Sequence, residues 1–325
     1  MKQLCSAPAV ELIIPVYKPG KELECLLQKI CRQTYLPIRI QLLITASADD
    51  FRQVAGKYAG ICGDIAVNCI HVLPAEFDHG GTRHRGATQS QADILLFMTQ
   101  DAVPDNDRLV EEMVKAMIGE DSAEIAGQPR IGAVYARQLP AADCNVIERY
   151  TRQFNYPEQS RIKTKKDLPA LGIKTYFCSN VCAAYRRDIY EELGGFERRT
   201  IFNEDMIFAA GLIRAGYAIA YAADARVIHS HNYSGIQQLH RNFDLAVSQA
   251  EHPEIFEAVP SEGEGIRMVK STASYLCRQG KAWLVPKLVW QSGCKYLGYL
   301  LGKRYQKLPR SMVLWLTMNK RYWKE

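Results

Sequence analysis

Along the chain, short apolar blocks alternate with segments in which apolar residues recur at helical spacing. Blocks at 10–16, 38–45 and 65–73 predict strands, and 94–98 predicts a fourth that is apolar throughout. Between the first two, Leu23, Leu26, Leu27 and Ile30 share one helical face, and another helix is predicted over 82–91. This alternation is typical of parallel βαβ units and predicts an α/β fold with helices on both faces of the sheet.

The second half of the chain is patterned less regularly. Residues 141–171 are polar, with clustered lysines, and predict a long loop. Strand character returns over 177–185, and 189–193 predicts a short helix closed by two glycines. Asn203 is placed to cap a further helix, and two short strands are predicted at 218–221 and 226–228.

The fourth predicted strand ends in a lone carboxylate, Asp101, and Pro104 is expected to stop regular pairing after it. In open α/β sheets ligands collect at the carboxyl ends of strands, so Asp101 is well placed for chemistry. Its alternative role is to open a turn or to cap the following helix.

Three further segments carry candidate chemistry, each with a structural alternative. Gly80 and Gly81 precede a predicted helix start beside Arg83. This arrangement is typical of an anion-binding site, but also of an ordinary turn. His229 and His231 stand two apart on a predicted strand and would face one side, as metal ligands do, although such pairs are often simply surface or core residues. Glu204 and Asp205 are explained structurally as acids in a first helical turn.

Composition divides the chain of 325 residues into two regions. From 265 onward there are 13 Lys or Arg and one acid, a net +12, and the rest carries a net −6. A polar linker at 260–265 therefore predicts a domain over 1–260 and a tail over 261–325. The ten cysteines form no CxxC pair, which favours a reducing, cytoplasmic setting. No signal peptide and no apolar stretch of spanning length is recognised in the sequence.

The tail contains all four tryptophans and predicts short basic, amphipathic helices, broken by Pro286 and Pro309. Such helices suit the surface of an anionic membrane. The alternative is that they pack on the first domain or on a second copy of the chain, as a homo-oligomer. Nucleic acid is not an expected partner, because no groove-reading or base-stacking module is present.

Several motifs in order resemble family 2 glycosyltransferases of the GT-A fold, over roughly residues 10–245. They are Leu-Ile-Ile-Pro-Val-Tyr, Gln-Thr-Tyr, Arg-x-x-Gly, the strand-end Asp, Gly-Gly-Phe and Asn-Glu-Asp. Within that family the chain most resembles bacterial rhamnosyltransferases, through Phe-Asp-His-Gly-Gly-Thr-Arg, Thr-Gln-Asp-Ala-Val-Pro and Phe-Cys-Ser-Asn. The resemblance implies a GT-A (Rossmann-like) mixed, mostly parallel central sheet with helices on both faces, followed by the helical basic tail.

The resemblance also implies roles for individual residues. Asp205 matches the catalytic base, and Asp101 matches the last acid of an Asp-x-Asp element that holds Mg²⁺ or Mn²⁺, completed by His229 or His231. The acceptor side would include Ser179, Asn180 and Glu204. The donor side would include Pro15, Tyr17, Ser47, Asp49, Gly80, Gly81, Arg83, Gln100 and Asp101.

Three positions depart from the family pattern. Thr99 replaces the first acid of Asp-x-Asp, His84 replaces the usual Asn, and Asp49 or Asp50 must serve where the family has an Asp at the nucleobase. The expected reaction is an inverting, metal-dependent transfer of a sugar from a nucleoside diphosphate sugar to a saccharide acceptor. The favoured donor is dTDP-L-rhamnose. The acceptor is expected to be lipid-linked at the inner face of a bacterial membrane. The alternatives are another sugar, such as galactofuranose or an N-acetylhexosamine, and a non-catalytic relative that binds sugar nucleotide or glycan.

Overall fold

A nine-stranded mixed sheet runs through the residues that the computed structural model describes, which are 7–119, 129–257, 259 and 262–323. Its strands are β1 Val10–Tyr17, β2 Arg39–Thr45, β3 Ala66–Val72, β4 Ile94–Met98, β5 Val103–Pro104, β6 Ile131–Leu139, β7 Arg161–Lys163, β8 Cys182–Arg186 and β9 Ala218–Ile228. Their order is β3-β2-β1-β4-β8-β6-β9-β5, with β7 beside β9. Strands β1 to β4, β6 and β9 run in one direction, since β4 and β6 are both antiparallel to β8. The predicted mixed, mostly parallel sheet is confirmed.

Helices cover both faces of this sheet. They are α1 Lys21–Ile30, α2 Ala48–Tyr58, α3 His79–Thr88, α4 Leu109–Ile118, α5 Val146–Asn155, α6 Leu168–Leu171, α7 Arg187–Glu192, α8 Glu204–Arg214, α9 Gly235–Glu251, α10 Pro253–Phe256, α11 Glu262–Arg278, α12 Val285–Gly302 and α13 Arg310–Leu316. Along β1 the side chains of Leu12 and Ile14 enter one apolar core and that of Ile13 enters the other. This two-sided burial explains the consecutive apolar residues Leu12 to Ile14 of β1.

Some sequence expectations are wrong in detail. Residues 141–171 are not a long loop, because they contain α5, β7 and α6. The two strands expected at 218–221 and 226–228 are one strand, β9. Its register with β6 shifts between Ala136 and Arg137, so that residues 223–225, which lie between the two predicted strands, form a bulge within β9. Within 177–185 only residues 182–185 belong to a strand. Pro104 does not end the pairing, since it lies on the two-residue edge strand β5 beside β9.

The basic tail is packed on the rest of the chain. Helix α12 lies against α9 so closely that a Cβ added at Gly298 would stand 2.2 Å from the Leu239 carbonyl oxygen, and one at Gly302 2.4 Å from that of Phe243. Helix α11 meets α5 and α12 through a small apolar cluster around Leu276. Packing on the first domain, the alternative considered from the sequence, therefore holds for one side of these helices.

The predicted linker at 260–265 is only partly visible. Residues 260 and 261 lie outside the described part of the chain, and the other four positions begin α11. The nine cysteines that the structure describes are all free thiols, as expected. Over the described ranges, no helix combines the length and apolar character needed to cross a membrane.

Candidate active site

A cavity of about 470 Å³ opens at the carboxyl end of β4. Its walls come from the residues after β4 and β9, the 177–181 segment, the start of α8, strand β6, and helices α3, α5, α9 and α12. Among the residues singled out from the sequence, it brings together Arg83, Asp101, Ser179, Asn180, Glu204, Asp205, His229 and His231. These side chains are distant in sequence, so their convergence results from the order of the strands.

The two histidines converge on Asp101. Strand β9 pairs with β5, with Ile228 opposite Val103, and this pairing places the residues after β9 beside the end of β4. The Nε2 atoms of His229 and His231 lie 3.5 Å and 3.3 Å from Asp101 Oδ2. The three donor atoms all fall within 4.8 Å of one another, which is the spacing of ligands around one cation.

The protonation states at this cluster favour metal binding. Burial alone would raise the pKa of Asp101, but the hydrogen bonds with His229 and Thr99 and the charge of His229 together outweigh it and hold the pKa below its usual range. Burial, and then the charge of His229, lowers the pKa of His231 to about 4. At neutral pH the carboxylate is therefore charged and the His231 imidazole neutral, as metal ligands must be.

A second layer of contacts orients His229. Its Nδ1 lies 3.0 Å from Gln138 Oε1, so the Nδ1–H donates to the amide and Nε2 is left facing Asp101. Gln138 in turn donates from Nε2 to Ser179 Oγ at 3.1 Å, and Arg152 donates to its Oε1. Such partners fix the tautomer of a metal-binding histidine. One carboxylate and two imidazoles that open on a cavity fit a divalent cation with free coordination positions.

Asp205 stands at the start of α8 with its carboxylate held by backbone. The amide of Asn180 donates to Oδ2 at 3.1 Å and the amide of Met206 donates to Oδ1 at 2.8 Å. Burial, and then the negative charge of Glu204, raises the pKa of Asp205 to about 7. A carboxyl group with this pKa can take up a proton near neutral pH.

Two buried side chains hold the carboxylate of Glu204. Arg83 Nη1 lies 3.1 Å from Glu204 Oε1, and both side chains are buried. Asn180 Nδ2 donates to the same oxygen at 3.2 Å. Burial opposes ionisation, but the charges of Arg83 and His79 and the hydrogen bond from Asn180 together outweigh it and lower the pKa of Glu204. Glu204 is thus a fixed negative charge beside Asp205, and Asn180 organises both carboxylates.

The helix start differs from the expectation in one respect. Asn203 does not cap α8 with its side chain, which instead donates to the Leu245 carbonyl oxygen at 3.1 Å. Its backbone is left-handed, with φ of 63°, a conformation that Asn tolerates better than most residues. The resulting bend turns Glu204 and Asp205 towards the cavity.

Gly80 and Gly81 lie inside α3 and not in a turn before it. The helix begins at His79, and Asp78 caps it by accepting from the amides of Gly80 and Gly81 at 2.9 and 2.7 Å. An added Cβ would stand 1.9 Å from the Glu197 carbonyl oxygen at Gly80 and 2.7 Å from that of Arg198 at Gly81. These glycines therefore permit close packing against the 197–198 backbone, and neither lines the cavity described above.

The remaining predicted donor residues border the same sheet edge without lining this cavity. Gln100 joins the ends of β4 and β1, since its amide both accepts from Tyr17 N–H and donates to Tyr17 O at 2.9 Å. Pro15 lies within β1. Ser47 caps α2 and Asp49 is exposed beside Arg52. Contact of these residues with a nucleotide stays a prediction.

Several residues that line the cavity were not anticipated from the sequence. They are Gln138 on β6; Glu148, Arg152 and Tyr156 on or just after α5; Tyr233 and Arg241 before and on α9; and Lys295 on α12. One local signal existed for α5, because Asn145 precedes Glu148 by three residues and caps the helix through the Glu148 amide at 3.0 Å.

Comparisons with known proteins agree with this architecture. The chain is 39% identical over 322 residues, 97% of its length and 96% of the relative, to the O-antigen chain rhamnosyltransferase WbaN of Salmonella anatum. It is 37% identical over 316 residues, 97% and 96% of the two chains, to the O-antigen chain rhamnosyltransferase RfbN of Salmonella typhimurium.

Among solved structures, the chain is similar to the mannosyltransferase PcManGT from Pyrobaculum calidifontis in complex with GDP-Man and Mn²⁺, with a TM-score of 0.57 and 16% identity over 98% of this chain and 89% of that one. It also resembles residues 1–349 of S. aureus TarS in complex with UDP-GlcNAc, with a TM-score of 0.52 and 14% identity over 92% and 91%. At these identities the likeness concerns the fold. The model of glycosyl transferase family 2 matches residues 11–194. The chain belongs to glycosyl transferase family 2 and is a glycosyltransferase of the GT-A fold.

Proposed function

We propose that this enzyme transfers L-rhamnose from dTDP-L-rhamnose to a saccharide acceptor, with inversion at the anomeric carbon, during synthesis of a cell-surface polysaccharide. The observation that carries the reaction type is that Asp205 and the Asp101, His229 and His231 cluster open into one cavity. The sugar is inferred from the two relatives, which are named as O-antigen rhamnosyltransferases.

Asp205 is the proposed general base. It takes the proton of the acceptor hydroxyl as that oxygen bonds to the anomeric carbon, while the bond from the carbon to the diphosphate oxygen breaks and the diphosphate leaves with the electron pair. A base with a pKa of about 7 is poised for this transfer at neutral pH. The amides of Asn180 and Met206 fix its orientation. Because Arg83 and Asn180 engage Glu204, that neighbour raises the pKa of Asp205 without competing for the proton.

Asp101, His229 and His231 are the residues that would hold a divalent cation. When bound there, it would supply positive charge to the oxygens of the departing diphosphate. Two imidazole donors favour Mn²⁺ over Mg²⁺, which prefers oxygen ligands and its own water shell. The PcManGT complex with GDP-Man and Mn²⁺ supports this choice. Thr99, in place of a second acid, leaves the histidines to complete the ligand set.

The acceptor is proposed to be lipid-linked and reached at the inner face of the membrane. The α12 stripe, which we define as Trp283 just before α12 and Val289, Trp290, Tyr296 and Leu297 on it, is exposed. Trp283 is 74% and Trp290 62% exposed. Tryptophan and tyrosine beside lysines such as Lys287 suit the headgroup region of an anionic bilayer.

A donor screen tests the proposed function. The purified full chain, with Mn²⁺, is incubated with dTDP-rhamnose, UDP-galactofuranose, UDP-N-acetylglucosamine and GDP-mannose in the presence of lipid-linked saccharides extracted from bacterial membranes. We expect transfer and release of nucleoside diphosphate from dTDP-rhamnose alone. Transfer from another donor would overturn the choice of sugar, and nucleotide binding without transfer from any donor would favour a non-catalytic relative.

A further inference from the structure

Two cationic side chains in the cavity wall form no ion pair with any of the described residues. Lys295, on α12, lines the cavity and makes no hydrogen bond or ion pair with any residue in the described ranges. Arg241, on α9, also lines the cavity and lies over the rings of Phe202 and Tyr233, at 4.7 and 5.7 Å from their centroids. Among the described residues it too has no hydrogen-bonded or ion-paired partner.

The carboxylate of Glu148 acts on Lys295 through its charge, but it already has an ion-paired partner. Glu148, on α5, forms an ion pair with Arg152 at 2.7 Å, and those two charges offset each other. This side of the cavity therefore keeps an excess of positive charge, from Arg241 and Lys295, that the protein does not neutralise. Burial lowers the pKa of Lys295, so its charged form is held at a cost that a bound anion would relieve.

A neutral sugar does not explain these two residues. Sugar hydroxyls are recognised by hydrogen-bonding groups and ring faces, whereas Lys and Arg are the side chains that bind phosphate through charge-assisted hydrogen bonds. The backbone at Lys295 is held beside the cavity, because Gly298 and Gly302 set α12 directly on the backbone of α9. The Lys295 side chain is only partly exposed and lines the cavity.

We propose that Lys295 and Arg241 form a phosphate subsite in the cavity, additional to the cluster of Asp101, His229 and His231. The inference rests on the proposed function, in which two substrates carry phosphate. One source is the diphosphate of the nucleotide sugar, and the other is the phosphate group that joins a saccharide acceptor to its lipid carrier.

Binding of two diphosphate probes tests the subsite and separates its sources. Titration calorimetry with the full chain and Mn²⁺ measures the Kd of dTDP, which represents the donor, and of farnesyl diphosphate, which represents a lipid carrier. The variants are Lys295→Met and Arg241→Gln, and the control is Lys166→Met, an exposed lysine outside the cavity lining. Circular dichroism verifies that each variant is folded.

We expect both site variants to weaken one of the probes by at least about tenfold, with the control within about twofold of the native chain. An effect on dTDP assigns the subsite to the donor, and an effect on farnesyl diphosphate alone assigns it to the lipid carrier. Native-like affinity for both probes in both variants would overturn the subsite.

A charge-preserving variant guards against an indirect effect. Lys295→Arg should bind the affected probe within about threefold of the native chain, and a loss as large as that of Lys295→Met would contradict a role for the charge. These measurements do not depend on turnover. If the native chain binds the probes through this subsite but transfers a sugar other than rhamnose, only the proposed function falls.

Discussion

Replacing Asp205 by Asn should make the folded chain less sensitive to rising pH. The pKa of Asp205 is raised to about 7, whereas an unfolded aspartate titrates near 3.9. Because the folded pKa is the higher one, the contribution of this group to stability is complete below about pH 4. It is lost progressively as the pH rises through about 7.

The size of the effect follows from the shift. A difference of about three pKa units corresponds to roughly 4 kcal/mol at full ionisation, of which roughly 2–3 kcal/mol would be lost between pH 5 and pH 8. Asp205 faces the open cavity and is partly screened by water, so we expect about 1–3 kcal/mol. The amide side chain of the Asp205→Asn variant would stay neutral throughout this range, so the variant would not show this loss.

Urea unfolding followed by circular dichroism at pH 5 and pH 8 measures the difference. The free energy of unfolding of the native chain should fall more steeply between the two pH values than that of Asp205→Asn. A matched substitution of the exposed aspartate on β9, Asp224→Asn, should leave the native slope unchanged. Equal losses in the native chain and in Asp205→Asn would refute the reasoning that a buried, charged base is held at the expense of stability.

Three other predictions follow from the same contacts. Asp101→Ala should weaken Mn²⁺ binding, measured by calorimetry, by at least about tenfold, because it removes the one carboxylate of the cluster, and full activity of the native enzyme in excess EDTA would contradict the metal role. Gly80→Ala should lower the free energy of unfolding by about 1–3 kcal/mol, because the added Cβ clashes with the Glu197 carbonyl oxygen. Unchanged stability together with a raised donor KM would indicate instead that Gly80 contacts the donor. Replacing Trp283 and Trp290 together by Ser should reduce co-sedimentation with anionic vesicles at low salt, and recovery equal to that of the native chain would leave the stripe as a contact between copies or an inert surface.

The parts of the fold and site that the sequence predicts are those with local signals. Strands β1, β2 and β4 are recognised because they are buried on both faces and consist mostly of apolar residues, and β4 is apolar throughout. Asp101 follows from its place at a strand end, and its convergence with His229 and His231 agrees with the family resemblance. Asp205 follows from the Asn-Glu-Asp motif, although the cap inferred for Asn203 is absent.

The parts that the sequence does not predict depend on contacts between distant segments. Helix α5 has a short apolar stripe of Ile147, Tyr150 and Phe154, but Ile147 is its one buried residue and its polar side lines the cavity. A Gly-Gly sequence is compatible with close approach of either a ligand or another backbone segment. The packing of Gly80 and Gly81 on residues 197–198 is therefore known only from the structure. In the sequence Lys295 is not distinguished from the other basic residues of the tail. Its place in the cavity wall depends on the packing of α12 on α9.

The central claim is that Asp205 is the general base of rhamnose transfer. Its most direct test is the initial rate at which mass-labelled rhamnose is transferred from dTDP-rhamnose to lipid-linked saccharides. The rate is measured with Mn²⁺ for the native chain and for Asp205→Asn. The account predicts transfer by the native chain and a rate at least about a hundredfold lower for the variant, the low end for loss of an acid–base group. Transfer by Asp205→Asn within a few-fold of the native rate, at equal amounts of folded protein, would contradict it.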